Sequence, residues 1–391
     1  MTVAFCLLFF GGLSLAGLKL IPFPYAFLSG FGGFFVVSLV WTLRLRSSRL
    51  KIVVGNFAVL ALALGGVELV LLARFKMPER VEIISQSTKE YIIPDQKLGY
   101  RPMSNSRTEV RAIAPTGQVI YNTIYSIDNL GHRTYLPGTG SPKLKSKRLA
   151  LFFGDSFTFG EGLADEQTIP NVFERAARPG LSALNLAFSG YGPNHMLAIL
   201  ENHLVEEAVQ GAQPIEAIYL AIPAHVQRIS GRLGADMIGP RYSHGATGKV
   251  QRLPADLTSR YFINKVFTKL SKWLLAREFI EGAAKLKANG SASDNALFVD
   301  VVTQAAKIFE TRYHGRFHVL LWRDPGKNQW SWNVEPRLRA AGISSVTWID
   351  RFIPDLMTFP EKYTLPFDGH PNAHADQRIG EYLALKLISP R

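Results

Sequence analysis

Leu149-Ala150-Leu151-Phe152-Phe153-Gly154-Asp155-Ser156-Phe157-Thr158-Phe159-Gly160-Glu161-Gly162 is the stretch on which the reading of this 391-residue chain turns. Five apolar residues run straight into Gly-Asp-Ser, and glycines punctuate the residues beyond the serine. An unbroken apolar run closed by a turn signal reads as a strand buried on both faces, as in parallel sheets. Such sheets keep their chemistry at the carboxyl ends of the strands, so the pattern delivers the Ser156 hydroxyl to that edge. Far downstream, Phe367-Asp368-Gly369-His370-Pro371-Asn372 sets a carboxylate and an imidazole two residues apart, just ahead of a helical segment. A serine, a histidine and an aspartate so placed can form a triad for acyl transfer.

Outward from Leu149 the pattern alternates. Strand-like runs occur at Leu149–Phe153, Ala183–Ala187, Ala217–Ile222, Phe317–Trp322 and Ser345–Ile349. Helical patterns fall between and after them, near Gln167–Ala177, Pro193–Glu206, Asn295–Tyr313, Val334–Ala341 and Ala373–Leu387. Five short apolar strands alternating with helices predict an α/β domain over residues 149–391, a parallel sheet covered on both faces. An insertion at about 228–290 interrupts it. Within the insertion, Phe262, Val266, Phe267, Leu270, Trp273 and Leu274 share one face of a helix whose other positions include Lys265, Lys269 and Lys272. Such a helix either covers a core or lies on a membrane surface.

Residues 1–76 carry three apolar stretches, roughly Val3–Leu18, Ile21–Leu43 and Ile52–Ala73, and predict a membrane anchor of three transmembrane helices. A cleaved signal peptide is the weaker reading of the first, which has no positive leader and no small-x-small cleavage site. Arg44, Arg46, Arg49 and Lys51 crowd the loop before the third stretch, whereas Lys19 alone lies between the first two. The positive-inside rule then places Arg44–Lys51 in the cytoplasm and everything after Arg74 outside. Residues 77–148 are polar with extended runs such as Val119–Ile127, and predict a small β-rich lead-in.

The net charge of +13 is shared between the two parts: residues 1–76 hold seven Lys and Arg against Glu68 alone, leaving +7 for the remainder. No Arg-rich tract or basic strip interleaved with aromatics argues for nucleic acid as a partner. The single cysteine, Cys6, excludes an intrachain disulfide.

Ser156 has two readings. A strand-to-helix turn lifts its hydroxyl clear of the backbone for nucleophilic attack and aims helix N–H groups at an oxyanion; alternatively it only caps the helix. The pattern is not the Gly-x-Ser-x-Gly elbow of α/β-hydrolases. His370 and His374 stand four apart with Asp368 nearby, but no third ligand cluster or His-Glu-x-x-His pattern accompanies them, so no metal site is predicted.

Gly154-Asp155-Ser156-Phe157 followed much later by Asp368-Gly369-His370-Pro371 resembles the SGNH (GDSL-type) hydrolase family, over about Arg148 to the C-terminus less the insertion. The resemblance implies a flavodoxin-like three-layer fold with Ser156 as nucleophile, His370 as general base and Asp368 as its orienting partner. It implies esterase, lipase, deacetylase or acyltransferase chemistry that needs no metal or organic cofactor. The family often places two residues between the last pair, and this chain places one. Asn185-Leu186-Ala187-Phe188-Ser189-Gly190 matches the second family block, making Gly190 the candidate oxyanion donor, unless it only permits the turn. The third block normally offers an asparagine. Here the chain reads Ile222-Pro223-Ala224-His225, so His225, or Asn194 from the neighbouring loop, would have to serve instead. Loss of one such donor costs about 100- to 1000-fold in rate.

The expectation is a multi-pass inner-membrane protein whose large C-terminal domain lies in the periplasm or outside. It would be a serine esterase or O-acyltransferase acting on acylated cell-envelope glycan or lipid, with membrane-complex subunits as candidate partners. The rival expectation is a catalytically weak or silent SGNH-like module that binds glycan or serves as an assembly subunit.

Overall fold

The computed structural model describes residues 35–74, 82–85, 91–134, 147–177, 179, 181–209, 211–229, 238–270, 292–323, 330 and 332–388. The chain divides into two compact units, Met1–Glu79 with Lys265–Lys287, and Arg80–Asn264 with Ala288–Arg391.

In the first unit the described residues form helices Phe35–Arg44 and Ser48–Arg74. Within the second helix, the 20 residues Ser48–Val67, with a mean hydropathy of 2.0, are long and apolar enough to cross a bilayer. Val59, Leu60 and Leu62 lie close together along it and are all exposed, so the helix presents apolar side chains on several sides, the mark of a helix solvated by lipid or by protein. Three spans are expected from the sequence, yet among the described residues one helix meets the requirement. Phe35–Arg44 covers only the second half of the expected second span, whose residues 21–34, together with the expected first span, Val3–Leu18, lie outside the described residues.

The second unit begins with the lead-in. Strands β1 (Glu82–Ser85), β4 (Ser106–Ile113) and β5 (Val119–Ile127) form an antiparallel sheet in the order β1-β4-β5, and β2 (Ile92–Asp95) pairs with β3 (Gly99–Pro102). In β4, Val110 and Ala112 alternate inward against more exposed neighbours, the pattern of a sheet wet on one face.

The main sheet is built from β6 (Arg148–Phe153), β7 (Ser182–Asn185), β8 (Gln213–Ala221) and, after the small hairpin β9 (Tyr242–His244) and β10 (Val250–Arg252), β11 (Arg316–Leu321) and β12 (Ser345–Trp348). Its five strands are parallel and lie in the order β12-β11-β8-β6-β7. Counted along the chain that is 2-1-3-4-5, the flavodoxin-like order, whose switch point lies between the first and third strands. Both faces of each central strand are buried. Leu149, Leu151 and Phe153 of β6 face one core while Ala150 and Phe152 face the other. Residues from helices Pro193–Glu201 and Ala292–Tyr313 fill the first, and residues from Ile169–Ala177 and Ala373–Ile388 the second. The last two helices pack so closely that a Cβ on Gly380 would stand 2.7 Å from the Val172 side chain. Past β5, Arg133 makes a single antiparallel bridge to Asn185, tying the lead-in to the β7 edge.

In the described part of the insertion, helix Leu257–Leu270 buries Leu257 and Tyr261 and exposes Phe262. Of the expected amphipathic face, Trp273 and Leu274 lie outside the described residues.

Candidate active site

Ser156 follows β6 at the switch point and opens a single-turn helix, Ser156–Phe159. The helix is capped by Asp155, whose Oδ1 accepts from the Phe157 N–H at 3.1 Å, so the serine hydroxyl is not consumed as a cap. Gly154 is required here: a Cβ at its φ of +154° would meet Thr158 Oγ1 at 2.3 Å. The His370 Nε2 atom lies 2.8 Å from Ser156 Oγ, and its Nδ1 atom lies 2.7 Å from Asp368 Oδ1.

The short Asp-Gly-His spacing closes through a tight turn. Gly369 has φ +84°, and Phe367 has φ +63°, a left-handed conformation that is strained for a bulky residue. The Leu365 N–H donates to the His370 carbonyl at 2.7 Å, and Gly369 N–H donates back to Leu365 at 3.1 Å. Asn372 then caps the last helix, accepting from the His374 and Ala375 N–H groups, while its own amide donates to the Lys362 carbonyl. Burial works against an imidazolium at His370. The Asp368 hydrogen bond and charge, with Glu161 and Asp155 beyond it, outweigh that and raise its pKa above the ordinary 6.5.

His225 and Asn194 have other work. The fully buried His225 ring lies with Nδ1 2.7 Å from the Tyr219 hydroxyl and Nε2 3.3 Å from Asp155 Oδ2. Desolvation lowers its pKa against the opposing effect of the Asp155 charge. Asn194 is also fully buried and donates through Nδ2 to the Pro240 carbonyl at 2.8 Å. Neither side chain offers an exposed donor to a substrate.

Gly190 has φ +80°, and a Cβ there would strike the Tyr100 hydroxyl at 2.5 Å. That hydroxyl donates to the Ser189 carbonyl at 2.9 Å, so β3 of the lead-in holds the loop that carries the glycine.

Three residues that local sequence patterns do not single out complete the surroundings. Arg228 Nη1 donates to Asp155 Oδ2 and to the Tyr191 carbonyl, both at 2.7 Å. Burial alone would raise the Asp155 pKa, but the His225 and Arg228 groups around it bring it far below the usual carboxylate range. Glu161, buried, accepts from Ser189 Oγ at 2.5 Å and from the Tyr125 hydroxyl at 3.2 Å. Arg133 grips the far end of the turn that follows Ser156: its Nε donates to Asp165 at 2.9 Å, and its Nη groups donate to the Phe159, Gly160 and Leu163 carbonyls at 2.8, 2.6 and 2.6 Å. Its guanidinium also lies over the rings of Tyr125 and Phe159. The nearest sequence signal for Arg133 was the polarity of the lead-in; Glu161 lies in the Leu149–Gly162 stretch and Arg228 at the start of the insertion, where neither stood out.

No protein-family model matches the chain, and no curated protein matches it. Among solved structures it is similar to a member of the lipolytic protein G-D-S-L family from Veillonella parvula, with 13% identity, 61% of this chain and 97% of that one covered, and a TM-score of 0.35. It is also similar to a lipase from a goat rumen metagenome (15% identity, 62% and 97% covered, TM-score 0.34). A third is a carbohydrate acetylesterase from Sinorhizobium meliloti (14% identity, 61% and 98% covered, TM-score 0.29). At such values the chemistry rests on this chain's own side chains. Its 2-1-3-4-5 sheet, with a serine after the first strand and an aspartate and a histidine before the last helix, meets the structural expectations of the SGNH resemblance.

Proposed function

We propose that this chain is a membrane-anchored, outward-facing SGNH-type serine ester hydrolase or O-acyltransferase acting on acylated envelope glycan or lipid. The observation that carries the reading is the unbroken relay Asp368 Oδ1–His370 Nδ1 and His370 Nε2–Ser156 Oγ, at 2.7 and 2.8 Å. Neutral His370 takes the Ser156 proton as Oγ attacks the ester carbonyl, and the imidazolium so formed is stabilised by Asp368. The Gly190 and Ser156 backbone N–H groups hold the oxyanion. His370 returns the proton to the departing alkoxide, leaving an acyl-serine. Water or a sugar hydroxyl then attacks, deprotonated by His370, and Ser156 leaves with its proton restored.

The outward orientation is supported by Arg44, Arg46, Arg49 and Lys51, which crowd the N-terminal end of helix Ser48–Arg74. This holds for that helix alone, whatever the number of spans before it. Multi-pass insertion, periplasmic placement and membrane-complex partners belong to the same proposal.

One observation favours the weak-module reading: His225 and Asn194, the two candidate replacements for the third-block asparagine, are enclosed and engaged elsewhere. Covalent labelling of the full chain in detergent by a fluorophosphonate decides between the readings. The enzyme reading expects labelling and aryl-acetate hydrolysis, both abolished in Ser156→Ala, with turnover down about a million-fold. An unlabelled, folded wild type that does not hydrolyse the ester would leave the binding or assembly role.

A further inference from the structure

Trp330, Trp332 and Trp348 line a cavity of about 300 Å3 together with Arg323, Asn333 and Glu335. Trp348 and Glu335 fall within the expected strand and helix, but the triad does not involve any of these residues and the proposed mechanism does not need them.

Their place in the sheet gives the cavity a relation to Ser156. β11 ends at Leu321, two residues before Arg323, and β12 ends at Trp348 itself, so the cavity opens at the carboxyl edge where β6 delivers the serine. With neighbouring strands ~4.8 Å apart, the three spacings from β6 to β12 come to ~14 Å along that edge. Packing joins the two places. The Phe157 ring lies 5.1 Å from His370 and 5.4 Å from Trp322, and the Trp322 carbonyl accepts from Trp330 Nε1 at 2.9 Å.

The chemistry of the walls narrows the ligand. Trp330 stands at 72° to Trp332 and 85° to Trp348, with centroids 6.1 and 6.4 Å apart, so the indoles form walls and not one stack. Each indole face is broad, apolar and electron-rich. Cations are already in place: the Arg323 guanidinium lies 4.2 Å from the Trp348 centroid and that of Arg337 5.4 Å from Trp332. With Arg323 also paired to Asp350 at 3.4 Å, the cation positions over Trp348 and Trp332 are already taken, which leaves a quaternary ammonium or a polyamine no such seat on those two rings. Among the rim groups, Glu335 is fixed by Arg339 and Arg351 at 3.1 and 2.8 Å, and Asn333 and Arg323 add an amide and a guanidinium. Oriented polar groups around apolar faces suit a ligand that is apolar on its faces and hydroxylated on its edge. A pyranose ring has that shape: C–H groups on its faces and hydroxyls around its rim.

We propose that this tryptophan cleft is a glycan subsite that seats a pyranose residue of an oligosaccharide while an acylated residue of the same chain reaches Ser156. The proposal rests on the ester-hydrolase reading for its role, and on the cleft alone for sugar binding.

The test separates the two. Full-length Ser156→Ala protein in detergent is titrated with O-acetylated xylohexaose while tryptophan fluorescence is followed. A saturable change is expected, lost in Ser156→Ala/Trp332→Ala and retained in Ser156→Ala/Trp332→Phe. No saturable change, or the same change in the Trp332→Ala protein, overturns the subsite. On the active chain, Trp332→Ala is expected to hydrolyse 4-nitrophenyl acetate within about twofold of wild type, which also reports folding, while KM for O-acetylated xylohexaose rises about tenfold at near-constant kcat. An equal loss on both substrates overturns the subsite as well. A wild type inactive toward both esters that still shows the Trp332-dependent fluorescence change would sink the hydrolase reading and leave the glycan subsite standing.

Discussion

The short helix Ala224–Ile229 after β8 and the loop before the last helix each bring a histidine to a carboxylate near Ser156, and the pKa values of the two rings are shifted in opposite directions. His225 meets Asp155, which is already answered by the Arg228 guanidinium at 2.7 Å; the ring is fully enclosed and its pKa is lowered by desolvation. His370 meets Asp368, whose only ion pair among the described residues is with that ring, and its side chain remains 22% exposed. Its pKa is raised, not lowered. A carboxylate therefore does not by itself make a histidine a base. What decides is whether another cation has satisfied the carboxylate and whether the ring can reach a substrate. The first ring clamps the turn that carries Ser156, and the second, on the proposed mechanism, carries the proton.

The contrast breaks first at His370. His370→Ala is expected to lower kcat for aryl acetate by about a million-fold while leaving the thermal midpoint nearly unchanged, since the turn keeps its backbone bonds. Asp155→Asn removes the carboxylate charge that Arg228 and His225 meet in the core and is expected to cost about 1.5–3 kcal/mol in denaturant unfolding. The Asp155 pKa is depressed in the fold, so its contribution is full above its ordinary value of 3.8 and is lost as pH falls through the folded value. The stability gap between wild type and Asp155→Asn should therefore shrink in acid. His225→Gln is expected to lose about 1–3 kcal/mol of stability through its buried partners. Its kcat per folded molecule should stay within about tenfold; a fall of about 100- to 1000-fold would instead make His225 an oxyanion donor and erase the contrast.

The smallest effect sharpens the comparison. The groups that raise the His370 pKa are Asp368, Glu161 and Asp155. As a base His370 must be neutral, so kcat/KM should fall on the acid side with an apparent pKa above 6.5. Glu161→Gln removes one negative charge, makes the imidazolium less favourable and should move that acid limb to lower pH. An unmoved limb would mean that Glu161 only braces Ser189.

The sheet was legible because each of its strands is a short apolar run beside a helix of its own. All five strands and all five helices between and after them lie within a few residues of their expected places, apart from a helix at Pro193–Glu201 that ends earlier than its apolar pattern. The meeting of Ser156 with Asp368 and His370 was legible as two local motifs, Gly154-Asp155-Ser156 and Asp368-Gly369-His370, which the SGNH resemblance joined across 214 residues. The third-block donors were not: the composition of Ile222–His225 says nothing of a Tyr219 hydroxyl or an Asp155 carboxylate waiting in the core. Arg228 lies 73 residues from Asp155 and Tyr100 lies 89 from Ser189, and contacts at that range leave no periodic trace. The β9–β10 hairpin left no signal because three-residue strands are too short to show alternation. The membrane count rested on hydropathy alone, of which one described helix satisfies the length.

The grip of Arg133 on the Phe159, Gly160 and Leu163 carbonyls has a consequence for modularity. Residues 91–134 look like a detachable preface, yet they hold both the turn after Ser156 and, through Tyr100, the Ser189–Gly190 loop. The natural cut before Arg148 therefore severs the reaction centre from its brace. Any truncation or fusion meant to keep the Ser156 turn in place must carry residues 91–134 along with the sheet.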